Sequence, residues 1–206
     1  MSFLVSRLDV DTARIAGLAI CQGSSEMLRA VADDVRFRVF ATIAGHYRDT
    51  EGDRAWLTAD GLETRKAKGA AAKLKFETTG EVDYVPGVDK TRMDVGMPGE
   101  FVWAWYQPWA DRGVWENRYA VMSDTDLLAY ESISAARRLN TPWLMVHSDQ
   151  CFIPEAAKRH FEAAPTSDKR MAWEGQTPHL SFYAHPEVID PTVEKIDAWF
   201  RKHLAA

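Results

Sequence analysis

Cys21 closes the apolar run Ile15-Ala16-Gly17-Leu18-Ala19-Ile20 and is followed by Gln22-Gly23-Ser24, so a potential nucleophile stands where a strand gives way to a helix. A side chain presented on so sharp a strand-to-helix turn tolerates little bulk two residues to either side. Ala19 and Gly23 meet that demand around Cys21. Ser24 is flanked at those positions by Gln22 and Glu26, and Ser25 by Gly23 and Met27, so both serines read as helix-starting residues instead. At a helix N-terminus the partial positive charge of the backbone favours a thiolate. The Gln22 backbone N–H would then be one donor to an oxyanion.

A cysteine nucleophile needs a base to take its proton and a group that orients the base. Asp149 and His179 are the candidates, and they follow successive predicted strands. Asp149 comes directly after Trp143-Leu144-Met145-Val146-His147, and His179 stands in the loop Gly175-Gln176-Thr177-Pro178-His179. Sites of open α/β sheets collect at the carboxyl ends of strands. A histidine there could accept a proton from Cys21 on one ring nitrogen and donate to Asp149 through the other. Plainer roles stay open for each residue: Cys21 as a small buried hydrophobe, Asp149 as a turn former, His179 as a surface loop residue. His46, His147, His160, His185 and His203 show no metal-ligand spacing with the cysteines, so no metal site is expected.

The elements that must position these residues alternate in type. Ile15 to Ile20, Val35 to Ala44, Trp143 to His147 and Arg170 to Trp173 read as buried strands. Helical spacing is predicted over Ser24 to Ala32, about Glu51 to Phe76, Leu127 to Leu139, Glu155 to Ala163, and Pro191 to about Leu204. The last lies behind an Asp190 N-cap, with Val193, Ile196, Phe200 and Leu204 as its buried stripe. Strands alternating with helices predict a single α/β domain built on a mostly parallel sheet of about four strands. From about Thr79 to Asn117 the alternation breaks, with three prolines and four tryptophans. This stretch reads as a cap-like or irregular insertion. Alternation of Phe101, Trp103 and Trp105 with Val102 and Ala104 suggests a short strand or loop, and Trp103, Trp105 and Trp109 are candidates for the wall of a substrate pocket.

The 206 residues are 46% hydrophobic and 27% charged, enough for one sizeable core. A net charge of −5 without a basic stripe argues against nucleic acid and against an anionic membrane surface as partners. No apolar run approaches the length of a membrane span, and the start, Met1-Ser2-Phe3-Leu4-Val5-Ser6-Arg7, lacks the pattern of a signal peptide. The expected location is the cytoplasm, where Cys21 and Cys151 are not expected to pair.

The run Val10-Asp11-Thr12-Ala13-Arg14-Ile15 leading into Ala19-Ile20-Cys21-Gln22-Gly23-Ser24 resembles the elbow region of α/β-hydrolases related to dienelactone hydrolase, in which cysteine can replace serine. Asp34-Val35-Arg36-Phe37-Arg38-Val39 is similar to the strand after the elbow helix, Pro142 to Pro154 to the acid-bearing strand and loop, and Gly175 to Tyr183 to the histidine loop. The resemblance implies a hydrolase or acyl transferase acting on a small-molecule ester, lactone or thioester through Cys21, His179 and Asp149, with no cofactor. Relatives often carry the acid as Asp-x-x-Pro, and here Cys151 holds that place before Pro154. The likeness begins just before the elbow, which implies the carboxyl-terminal part of the fold without its first strands. The Cys21 strand would then be a sheet edge, covered by a second copy in a homodimer or left prone to aggregation. A non-catalytic remnant acting as an interaction module is the alternative reading.

Overall fold

Four runs rich in β-branched and large apolar side chains pair into one parallel sheet in a computed structural model, which describes residues 1–205. In chain order the elements begin with α1 (Ser2–Val5), β1 (Ile15–Ile20), α2 (Gly23–Asp33), β2 (Phe37–Ile43), α3 (Thr50–Leu57) and α4 (Ala59–Thr79). They continue with β3 (Tyr84–Val85), β4 (Val88–Asp89), β5 (Met97–Pro98), α5 (Glu100–Asp111), β6 (Tyr119–Ala120) and α6 (Ser123–Leu127). The chain closes with α7 (Ile133–Ala136), β7 (Trp143–His147), α8 (Pro154–Ala163), β8 (Lys169–Trp173), α9 (Ser181–Ala184) and α10 (Pro186–Leu204). Two compact units result, one made of Met1–Gly52 with Glu131–Ala206 and the other of Asp53–Tyr130.

The first unit holds the sheet, in the order β1-β2-β7-β8. Ile20 pairs with Ile43, Ile43 with Val146, and His147 with Trp173, so the carboxyl ends of all four strands meet along one rim. One face is covered by α2, α7 and α8 through Leu28, Val31, Phe40, Trp143 and Met145. The other lies under α9 and α10 through Val39, Ala41, Ile43, Leu144, Val146 and Trp199. Gly17 lets α2 close on β1, because a Cβ there would come within 3.0 Å of the Val31 methyl and 3.2 Å of the Phe40 ring. Along β1, Ile15, Gly17 and Ala19 are buried, while Leu18 and Ile20 are each 46% exposed. Among the described residues β1 pairs with β2 alone, so it is the edge of the sheet.

Several expected elements are corrected. The second strand begins at Phe37 rather than Val35, because the Asp34 carboxylate accepts from both the Arg36 backbone N–H and its guanidinium and holds residues 34–36 in a turn. The helix expected over residues 51–76 is two helices. Thr58 between them has φ 62°, and its hydroxyl caps α4 by accepting the Gly61 N–H at 3.1 Å. A single helix over 127–139 does not form, since the Ser132 N–H donates to Arg48 O at 2.9 Å instead of to a preceding turn. The last helix starts five residues early, with Pro186 in its first turn, leaving Pro191 inside it. Ile196 is buried and Phe200 and Leu204 pack against the same cluster, as the expected stripe has them, but Val193 is 54% exposed and Thr192 and Trp199 are buried in addition.

The second unit spans residues 53–130 and therefore includes the helix ahead of the tryptophan-rich stretch. Phe101, Trp103 and Trp105, expected on a strand or loop, lie on α5; Gly99 precedes it and Glu100 occupies its first turn. Spacing of Phe101, Trp105 and Trp109 by four residues is the helical signal that the two-residue alternation masked. Leu57, Leu62 and Leu128 form a small apolar cluster. Beside it the buried Arg65 guanidinium makes a two-point ion pair with Asp124, at 2.7 and 2.9 Å, and Asp124 also accepts the Tyr119 hydroxyl at 2.8 Å. No helix among the described residues is long and apolar enough to cross a membrane.

Candidate active site

Cys21 leaves β1 with φ 53°, a left-handed conformation that side-chain-bearing residues rarely take. Its N–H donates to Ile43 O at 3.2 Å, and its carbonyl accepts from the Ser24 N–H at 3.0 Å and the His46 N–H at 2.9 Å. The exit of β2 thus holds the turn from one side and the first turn of α2 from the other. Such a turn puts the thiol at the rim of the sheet beside a helix N-terminus. Gln22 follows in helical conformation, and its N–H has no acceptor among the described residues, which leaves it free for an oxyanion. Gly23 plays a smaller part than its position suggested, since a Cβ built there meets nothing within 4 Å.

Asp149 and His179 come to the same rim from β7 and β8. The loop carrying His179 is fixed by the His179 N–H, which donates to Gln150 O, and by a bridge between Gln150 and Pro178. The expected bond between His179 and Asp149 is not made. Asp149 instead accepts the indole N–H of Trp173 at 2.9 Å and the side-chain amide of Gln176 at 2.8 Å. His179 is buried; its Nδ1 accepts the Phe152 backbone N–H at 3.3 Å, and its Nε2 lies 2.8 Å from the Tyr183 hydroxyl. A backbone N–H can only donate, so Nδ1 carries the lone pair and the ring proton resides on Nε2. Burial and then the neighbouring His147 push its pKa down to about 4, so the ring is neutral at pH 7. Among the described residues Cys21 makes no side-chain hydrogen bond to His179.

Two further groups at this rim were not foreseen as site residues. His46 lies three residues beyond the end of β2, its ring edge-on to Phe152 with centroids 4.6 Å apart, and burial followed by the Arg48 charge pushes its pKa down to about 3. Its place after a strand's carboxyl end was the available sequence signal. Cys151 is buried with its sulfur 3.1 Å from the Ser148 hydroxyl, and burial drives its pKa up to about 11. That thiol is therefore a poor nucleophile near neutrality. Trp103, Trp105 and Trp109 lie on α5 in the second unit, where Trp105 and Trp109 pack edge to face, Lys90 stands over the Trp103 ring and Arg112 over the Trp109 ring.

A parallel sheet whose strand ends carry, in chain order, a strained cysteine, an aspartate and a histidine can be compared with known structures. DcsB, solved in complex with its substrate analogue, superposes over 100% of this chain and 70% of its own, with a TM-score of 0.79 at 17% identity. The α/β hydrolase GrgF from Penicillium sp. sh18 matches over 96% of this chain and 66% of its own, with a TM-score of 0.71 at 19% identity. The chain has an α/β-hydrolase fold. A monoacylglycerol lipase of Paleococcus ferrophilus shares this fold at a TM-score of 0.60 and 15% identity, over 90% of this chain and 67% of that one. The chain spans about two thirds of the length of these α/β-hydrolase-fold proteins. No family profile and no curated protein matches it in sequence.

Proposed function

We propose that the chain cleaves or transfers an acyl group from an ester, lactone or thioester, with Cys21 as nucleophile and His179 as its base. The left-handed backbone of Cys21 at the junction of β1 and α2 carries this reading. A strained non-glycine residue at a strand end needs a reason, and presentation of a nucleophile is a good one. The names of similarly folded proteins, a monoacylglycerol lipase and an acetyl xylan esterase among them, support the reaction class. The elbow run similar to dienelactone hydrolases supports cysteine in the nucleophile's role.

In the proposed reaction the Cys21 thiol gives its proton to His179 Nε2 and its sulfur bonds the acyl carbon. The oxyanion accepts the Gln22 N–H. Collapse expels the alcohol or thiol, which takes the proton from His179, and water or another acceptor then releases the acyl group by the same steps reversed. His179 must first move its ring proton from Nε2 to Nδ1, which means releasing both Tyr183 and the Phe152 N–H. Asp149 is assigned to holding the 173–176 segment through Trp173 and Gln176.

The test is a pre-steady-state burst with a p-nitrophenyl acyl ester. A burst stoichiometric with folded protein, absent from Cys21→Ala and slowed ~10²-fold or more in His179→Ala, is expected. Equal traces from the native protein and Cys21→Ala would remove the hydrolase reading.

One observation favours a second reading, an assembly module. Among the described residues β1 is paired on one side only, with Leu18 and Ile20 exposed and no charge or proline within it. Antiparallel pairing of two copies about Leu18 would set Ala16 opposite Ile20, a small side chain against a large one. Sedimentation equilibrium should then show a dimer that Leu18→Lys dissociates; a native monomer at tens of micromolar would rule it out.

A further inference from the structure

A second serine and histidine are in hydrogen-bond contact in the first unit, away from Cys21. Ser132 Oγ is 2.9 Å from His160 Nε2, and Asp49 lies 4.0 Å from the other ring nitrogen. Ser132 and His160 are wholly buried, so no substrate reaches them, and their proton directions show a different use. His160 Nδ1 is 2.8 Å from Ala156 O, and a carbonyl can only accept, so Nδ1 carries the proton and Nε2 the lone pair. The Ser132 hydroxyl therefore donates to Nε2. The Ser132 backbone N–H donates to Arg48 O at 2.9 Å; the Arg48 N–H donates to Ser25 Oγ at 2.9 Å; and Ser25 Oγ donates to His46 O at 2.7 Å. The His46 N–H then donates to Cys21 O.

The series runs without a break from the start of α8 to the backbone of the elbow, and Ser132 Oγ also lies 3.2 Å from Ser25 Oγ and 3.3 Å from Arg48 O. Cys21 has three backbone hydrogen bonds, and two of them come from residues 43 and 46 at the exit of β2. A left-handed non-glycine residue persists only where its surroundings over-determine it. Resting on the reading of Cys21 as nucleophile, we propose that Ser25, Ser132 and His160 are positioning residues, which fix the exit of β2 and through it the strained elbow. Ser25 is the central member, since its single hydroxyl both accepts from Arg48 and donates to His46. Asp49 anchors the far side of the same segment through a two-point pair with Arg159, both contacts at 2.9 Å.

The experiment measures alkylation of Cys21 by iodoacetamide at pH 7.5 in a Cys151→Ala background, where one thiol remains to react. Ser25→Ala is expected to slow alkylation about tenfold with its circular dichroism retained, and Ser25→Thr, which keeps the hydroxyl, is expected to recover most of the rate. Ser132→Ala, which keeps the backbone bond to Arg48 but removes the hydroxyl lying 2.9 Å from His160 Nε2 and 3.2 Å from Ser25 Oγ, should slow it less, with Ser132→Thr again restoring it. An unchanged or faster rate in folded Ser25→Ala overturns the proposal, whatever happens to the melting temperature. Loss of folding in both alanine variants overturns it too, since the network would then hold the fold and not the elbow. Alkylation needs no turnover, so this result is separate from the burst comparison that decides the hydrolase reading.

Discussion

His179 holds its Nε2 proton toward the Tyr183 hydroxyl at 2.8 Å, four residues along the same loop and helix. This pairing, with the Phe152 N–H on Nδ1, gives the ring the tautomer opposite to the one a base for Cys21 requires. If His179 is the base for Cys21, as proposed, two local hydrogen bonds hold the site in a resting arrangement. A neutral hydrogen bond contributes about 1 kcal/mol net, small enough for a bound substrate to overcome.

Tyr183→Phe removes the acceptor of the Nε2 proton while keeping the ring that packs edge-on against His179. Losing about 1 kcal/mol of resting-state stabilisation should speed the acyl burst roughly fivefold. Stopped-flow with a p-nitrophenyl ester reads this directly. A burst slowed tenfold would instead make the Tyr183 hydroxyl part of the chemistry.

The four buried histidines make the fold acid-sensitive. His46 is pushed down to about 3 and His179 to about 4 by burial, and His147 and His160 are lowered for the same first cause. Each binds a proton more readily in the unfolded chain, where its pKa is near 6.5, so unfolding takes up protons below that pH. Stability is full above about pH 7 and falls as the pH drops toward 4, by roughly 2–3 kcal/mol per pH unit from His46 and His179 together. Urea midpoints at pH 7.5 and 5.5 test the sign. An equal or higher midpoint at pH 5.5 would contradict the burial of these rings.

The sheet was legible because each of its strands is a short, nearly continuous apolar run, and two of the four, Ile15–Ile20 and Trp143–His147, match residue for residue. The turn at Cys21 was legible for the same reason: an apolar run ends there and a helical pattern follows. What periodicity does not carry is side-chain hydrogen bonding over long separations. Asp149 was read as the partner of His179 from chain order, but Trp173 and Gln176, on the strand and loop just before His179, reach it first. The helix expected over 127–139 fails for a similar reason, since Ser132 spends its N–H on Arg48, more than eighty residues upstream. The tryptophan-rich stretch was read at the wrong period because its aromatic residues satisfy spacings of two and of four at once.

In the second unit the burial of Arg65 depends on Asp124. Replacing Asp124 by alanine strips the guanidinium of both short contacts and leaves a buried charge, with an expected loss of about 3–5 kcal/mol for that unit. Arg65→Met with Asp124→Leu, which removes both charges, should be milder. Denaturant unfolding of the three proteins distinguishes the cases, and a loss below about 1 kcal/mol for Asp124→Ala would mean that the pair is open to water.

Asp149 provides the sharpest test of how the rim is organised. Its carboxylate oxygens accept the Trp173 indole N–H and the Gln176 amide, and neither is hydrogen-bonded to His179. If Asp149 holds the 173–176 segment, Asp149→Asn keeps an acceptor for the indole but turns a donor toward one of its two partners. A modest loss of stability, about 1 kcal/mol, and a burst rate within about threefold of native follow. An acid that orients the base directly would behave differently, because its loss leaves the imidazole in the wrong tautomer and costs ~10⁴-fold in turnover where measured. Burst kinetics and urea unfolding on the same preparation of Asp149→Asn separate the two roles. A burst reduced by a hundredfold or more at unchanged stability would mean that His179 swings from Tyr183 to Asp149 during the reaction.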